Sequence, residues 1–129
     1  MSLQAHRFQK NKANHSSAHS ELLDDVLYAV GRLPDVRVWK RNVGLATPVH
    51  SSHPIYFGVE GESDLDGIIF PLGRRLAIEI KTGAGKLTGD QKKWRDMIIK
   101  FGGVFIEARS VEQCLKELEI HREARTDIP

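Results

Sequence analysis

The sequence predicts an α/β fold, a mixed central β-sheet flanked by helices, in the order α-β-β-β-α-β-α. Three observations carry this. A one-sided apolar stripe runs from Leu22 to Leu33; two strand-like runs, 64–70 and 75–81, are joined by the turn-like Pro71-Leu72-Gly73-Arg74; and two helix-opening patterns, Thr88 to Gln91 and Ser110 to Gln113, flank a further strand-like run. With 129 residues, 40% hydrophobic and 28% charged, the chain suits one domain with its own core.

Leu22, Leu23, Val26, Leu27, Val30 and Leu33 recur at helical spacing, which predicts an amphipathic helix from Ser20. Glu21, Asp24 and Asp25 open it, where carboxylates suit the positive end of the helix dipole. Residues 35–40, DVRVWK, alternate as a strand does and are rich in β-branched and aromatic types. Residues 43–61 are rich in Gly, Pro, Ser and His and predict mostly a long loop, which at that length tends to be functional. Asp64–Phe70 and Arg75–Lys81 then read as a β-hairpin. Thr88 and Gln91 match the reciprocal capping pattern of a helix whose buried side is Trp94, Met97, Ile98 and Phe101, and Gly102-Gly103 ends it. Val104–Ala108 is a strand, and a last helix turns Val111, Cys114, Leu115 and Leu118 inward. The domain thus spans 20–120, between a flexible basic N-terminal tail (1–19) and a polar C-terminal tail (121–129). Arg7, Lys10 and Lys12 lie in that first segment with no acid beside them, so its alternative reading is a DNA-touching arm.

The net charge of +2 is too small to announce a nucleic-acid partner. Cys114 is the lone cysteine, which excludes an intrachain disulfide and suits a reducing compartment. No apolar run has the length of a membrane span and no apolar signal core opens the chain, so the expectation is a soluble, intracellular protein, cytoplasmic and without a membrane partner.

The stretch IEIKTGAGKLTGDQ, residues 78–91, holds two rival chemistries. A phosphate-cradling nucleotide loop needs a Gly four residues ahead of Gly-Lys and a Ser or Thr straight after the Lys. Ile80 and Leu87 occupy those places. Ile80 resists the positive φ that Gly tolerates, and Leu87 has no oxygen to offer an ion, so no nucleotide cofactor is expected. The rival is a metal site. Residues two apart on a strand share a face, so Glu79 and Lys81 project together while Ile78 and Ile80 turn away. A carboxylate there offers Mg²⁺ a hard oxygen, and the lysine stem brings its ammonium to the water or phosphate beside the ion. The hairpin supplies a second carboxylate: with a connection of two or four residues, Asp64 and Asp66 share the face of Glu79 and Lys81, and with three they do not. Register alone does not choose between the two aspartates. Taken alone, a Glu-x-Lys on a strand more often marks a solvated ion pair.

The ordered set Ser63-Asp64, Glu79-Ile80-Lys81, Gly85-Lys86-Leu87, Gln91-x-x-Trp94, Gly102-Gly103 and Arg109-Ser110 resembles the VRR-NUC domain, the virus-type replication-repair branch of the PD-(D/E)xK nuclease superfamily. Upstream, Glu21, Trp39-Lys40-Arg41-Asn42-x-Gly44 and Gly58 extend the resemblance, which covers about residues 20 to 118. It implies a restriction-endonuclease-like core and hydrolysis of DNA phosphodiesters with Mg²⁺, or Mn²⁺ as the alternative ion. Asp64 and Glu79 would bind the metal with the Ile80 carbonyl, and Lys81 would orient or activate the attacking water. Glu21 matches a further ligand or water-holder on the family's first helix, although a first-turn acid is ordinary. Gln91 matches a glutamine near the site, though it could simply complete the Thr88 cap. Trp94 reads as core in preference to substrate contact. Ser63 stands where the superfamily name has Pro, and Asp66 leaves open which aspartate holds the ion.

Stand-alone domains of this kind resemble Holliday-junction resolvases, which implies branched DNA as substrate in replication, repair or recombination, a homodimer, and a bacterial or phage-infected host cell. A two-fold protein suits a two-fold junction. Lys40, Arg41 and Lys86 are the candidate phosphate contacts. His50 and His53 could touch DNA, but no third ligand accompanies them toward zinc. The competing readings are a catalytically silent DNA-binding or assembly subunit and a sequence-specific restriction-type endonuclease, for which the chain is short.

Overall fold

The structure is a computed structural model that describes residues 17–41 and 44–126. It has a mixed α/β architecture: a four-stranded mixed sheet flanked by helices. The elements are α1 (Ala18–Gly31), β1 (Val36–Lys40), β2 (Gly44–Ala46), β3 (Ile55–Phe57), β4 (Leu65–Ile69), β5 (Arg74–Ile80), α2 (Gly89–Lys100), β6 (Val104–Ala108) and α3 (Val111–Thr126). The main sheet runs β1-β4-β5-β6, antiparallel except for the β5–β6 pair. That parallel step needs a crossover, which α2 provides.

One face of the sheet is the apolar core. Val36, Leu65, Ile69, Leu76, Ile78, Ile80, Val104, Ile106 and Ala108 are buried there with Val26 and Val30 of α1 and Cys114 and Leu118 of α3. Burial in this oil-like setting pushes the Cys114 thiol up to about 12, so it stays an inert filler at neutral pH. The other face carries Asp66, Ala77 and Glu79, also buried, with α2 lying over β5 and β6. Alternation along a strand assigns these two sets to opposite sides.

Register is what positions the chemistry. Phe70–Gly73 joins the hairpin as a four-residue connection, and Leu65 pairs with Ile78 and Asp66 with Ala77. Continued by one residue, the same register sets Asp64 opposite Glu79. The even-numbered connection is the case in which both aspartates share the face of Glu79 and Lys81.

Four features differ from the sequence-based expectation. Helix α1 begins at Ala18, because Ser17 and not a later residue captures a free amide, accepting from the Ser20 N–H at 3.2 Å. The segment 43–61 is not wholly loop: the β-prone Ile55-Tyr56-Phe57 finds an antiparallel partner in β2, with Gly44 opposite Phe57. Helix α2 buries Ile98 alone, Trp94 is half-buried, and Met97 and Phe101 are 37% and 79% exposed. The sheet face beneath it holds carboxylates and Arg75, so an apolar stripe has little to cover. Helix α3 continues through residues 121–126, where a polar tail is predicted. Its added turn is fastened by Arg122, whose Nε reaches Asp35 at 2.8 Å and whose Nη1 reaches Glu119 at 2.9 Å. The predicted N-terminal tail starts the helix from residue 18, and the rest of it, 1–16, lies outside the described residues, as does Asn42.

The Arg122 guanidinium holds the Asp35 carboxyl below its ordinary value. Both groups are partly solvated, so Arg122→Ala should cost only about 1 kcal/mol, read as a lower urea midpoint with unchanged m. Among the described residues no helix is long and apolar enough to cross a membrane.

Candidate active site

At the end of the sheet where β4 begins and β5 finishes, two carboxylates face each other. Asp64 Oδ2 accepts the Ile80 N–H at 2.9 Å and lies 3.3 Å from His19 Nε2 of α1. Its Oδ1 lies 3.9 Å from Arg41 Nη2. Arg41 also holds the backbone here, donating its N–H to the Asp64 carbonyl at 3.0 Å and its Nη1 to the Glu62 carbonyl. Glu79 is 3% exposed. Its Oε2 accepts Gln91 Nε2 at 2.9 Å and lies 3.8 Å from Lys81 Nζ, while its Oε1 is buried with no donor at all. Burial pushes the Glu79 carboxyl up to about 7, the nearby Asp64 charge adds to this, and Lys81 opposes it.

The segment before Asp64 is fixed from two sides. Ser63 is buried; its hydroxyl donates to the Leu65 carbonyl and accepts the Trp94 indole N–H, each at 3.3 Å. Gly61, at φ +79°, lies so near the start of α2 that a Cβ would come within 2.4 Å of the Asp90 carbonyl carbon and oxygen. No L side chain fits there. Ser63 is thus a hydrogen-bonded anchor that ties the approach to Asp64 to α2.

Several sequence readings resolve at this point. Asp66 is engaged elsewhere: Arg75 Nη2 binds its Oδ1 at 2.7 Å and reaches Glu62 at 3.8 Å, with the guanidinium 5.8 Å from the centre of the Trp94 ring. Burial, followed by the charge of Asp66, raises the Glu62 carboxyl. Asp64 is therefore the aspartate beside Glu79. Gln91 completes the cap, its Oε1 accepting the Thr88 N–H at 2.9 Å, and its Nε2 also donates to Glu79 Oε2 at 2.9 Å. An amide has donor and acceptor at opposite corners, so the cap and the carboxylate do not compete. Trp94 is neither plain core nor exposed platform but a brace on Ser63.

Other residues are not gathered in. Glu21 is exposed in the first turn of α1, and the contact from that helix to the site is made by His19. Sequence reasoning missed His19 because it fell in the segment read as tail. Ile80 serves through its N–H. Lys40 pairs with Asp24 at 3.3 Å, which ties it to α1, and Arg41 is committed to the Glu62–Asp64 backbone. Lys86 is exposed on the loop after Lys81 and pairs with no acid among the described residues; His50 and His53 are exposed on their loop.

Among the described residues no three His, Cys, Asp or Glu side chains cluster as a ready-made metal cage. The arrangement is two opposed carboxylates, one of which keeps its proton near neutrality unless a cation replaces it, with an ammonium alongside. The chain matches no protein-family model, and no curated protein matches it.

Proposed function

We propose that this chain is a Mg²⁺-dependent deoxyribonuclease, a restriction-endonuclease-like phosphodiester hydrolase of the VRR-NUC kind acting on branched DNA. The observation that carries the reading is Glu79, buried opposite Asp64 with Oε1 lacking any donor and its carboxyl pushed up to about 7. A buried carboxylate oxygen without a donor is costly, and a divalent cation held by Glu79 and Asp64 would relieve that cost. Two carboxylates fit Mg²⁺, which keeps most of its shell for water and substrate phosphate, better than zinc, whose protein sites use three or four ligands.

Asp64 and Glu79 would hold the ion. When bound, it supplies Lewis-acid stabilisation of a phosphate oxygen and acidifies water at the site. Gln91 fixes the orientation of Glu79, and the Ile80 N–H, His19 and Arg41 fix Asp64. The Lys81 ammonium stands at the same end of the sheet, where it adds positive charge beside the phosphate as negative charge accumulates on it.

The test is a panel of labelled linear, flap, splayed and four-way DNAs incubated with Mg²⁺ or Mn²⁺, with Asp64→Ala alongside. Ion-dependent cleavage that follows DNA shape, lost in EDTA and in the variant, is the expected result. DNA binding with no cleavage under any ion would identify a silent subunit, and cutting tied to base sequence would identify a restriction-type enzyme. A homodimer accompanies the proposal. Phe70 and Leu72 of the hairpin tip and Phe101, just after α2, are all more than 60% exposed, and Arg74 Nε donates to the Gly102 carbonyl at 2.8 Å, so the hairpin and the residue after Phe101 meet at one end of the sheet. Such an apolar end suits contact with a second copy. Light scattering should give twice the monomer mass, and a monomer both free and with four-way DNA would remove the dimer.

A further inference from the structure

The loop that follows Lys81 contains Gly83 and Gly85 and is exposed from residue 83 to 86, yet it is not left to itself. Arg109, directly after β6, donates Nη1 to the Gly83 carbonyl at 3.3 Å and Nη2 to the Gly85 carbonyl at 2.6 Å. Glu107 grips the same guanidinium from behind, its Oε2 accepting Nε at 3.0 Å and Nη2 at 2.6 Å. Glu107 is steadied in turn, because Gln113 Nε2 donates to its carbonyl at 3.0 Å while Gln113 Oε1 accepts the Arg109 N–H at 2.7 Å. The result is a strut from the end of β6 across to the loop leaving β5. Lys86 follows the second clamped carbonyl, and Thr88 then opens α2.

We propose that Arg109, held by Glu107, is a positioning residue that fixes this loop so that Lys86 contacts a backbone phosphate of DNA bound at the Asp64–Glu79 site. The proposal rests on the nuclease reading. Only arginine can serve: a planar fork reaches two carbonyls and a carboxylate at once, whereas a lysine at the same place keeps the charge and loses the span. A Gly-containing loop released from the fork regains backbone freedom, and ordering it again on DNA costs free energy.

The experiment compares wild type, Arg109→Lys, Lys86→Ala and the double variant in two measurements. Hydrogen exchange on the free proteins should be accelerated by about tenfold in Arg109→Lys at the Gly85 amide, whose N–H donates to the Thr82 carbonyl at 3.0 Å, with the β4–β5 amides unchanged. Four-way DNA binding in EDTA, followed by anisotropy across a salt series, should lose about one ion equivalent from the salt slope in each single variant, and about one, not two, in the double variant. Because Arg109→Lys conserves charge, its lost ion equivalent belongs to Lys86. A double variant that loses about two, or an Arg109→Lys protein whose slope equals wild type, overturns the proposal, and unchanged exchange at the Gly85 amide overturns the strut itself. A wild-type protein that neither binds four-way DNA nor cleaves any DNA of the panel with Mg²⁺ sinks the nuclease reading, and the exchange result then still reports separately on the strut.

Discussion

Asp64→Ala should lower the rate of DNA cleavage by about a thousandfold or more while leaving the protein folded. The side chain lies outside the apolar core, so its loss opens no cavity there, and its removal takes away one of two facing carboxylates. The size of the effect follows from the proposed chemistry: an ion held by one carboxylate is weakly bound and badly placed, and removing a preorganised electrostatic group from a reacting centre costs on the order of 10² to 10³ in rate even when the rest stays intact. Glu79, relieved of its neighbour's charge, should titrate closer to the ordinary carboxylate range. The measurement is single-turnover cleavage with saturating Mg²⁺, beside a thermal melt in EDTA. A variant that cuts at the wild-type rate would falsify the assignment of Asp64, whereas one that fails to fold would show that its bond to the Ile80 N–H is structural first.

The second large effect concerns stability and pH. In the metal-free protein the Glu79 carboxyl titrates near 7, against an ordinary value of 4.5. Between those values the folded protein keeps a proton that the unfolded chain has released, so unfolding becomes easier as pH rises. The stability linked to this group is fully present below about 4.5 and is lost as pH passes through 7. The full swing is on the order of 3 kcal/mol. Glu79→Gln keeps the shape and cannot ionise, so in EDTA it should be more stable than wild type at pH 8 and gain nothing at pH 4. Comparing the two proteins isolates Glu79 from Glu62, whose carboxyl is also raised. Adding Mg²⁺ at pH 8 should restore stability to wild type by binding the folded state, and should do little for the variant. Parallel pH profiles for the two proteins in urea titrations would contradict the assigned cause.

The parts of this arrangement legible in the sequence were those governed by period and parity. Alternation put Glu79 and Lys81 on one side of a strand, and the four-residue Phe70–Gly73 connection puts Asp64 on that same side. What parity could not do was choose between Asp64 and Asp66, because that choice is made by Arg75, a long side chain that reaches across strands to Asp66 and leaves Asp64 facing Glu79. Glu21 and His19 show a related limit. Apolar spacing told which residues of α1 turn to the sheet, but which polar residue overhangs the strand ends depends on where the helix starts and how it lies along them. Met97 and Phe101 were expected inside because they share a stripe with Ile98; periodicity reports a common face and is silent on what lies beneath it. Polar composition concealed the last turn of α3, whose hold on the fold comes from Arg122 reaching Asp35, far away in sequence.

Helix α2 sinks one side chain, Ile98, into the interior, yet it carries both Gln91 and Trp94. Elements with so few buried contacts open at lower free energy than the sheet they cover. Gentle warming should therefore lift this helix off a still intact β-sheet, uncovering Glu79 and freeing Ser63. The proposed hydrolysis would fade several degrees before the cooperative melt, and recover on cooling, as if a hatch had swung open and shut.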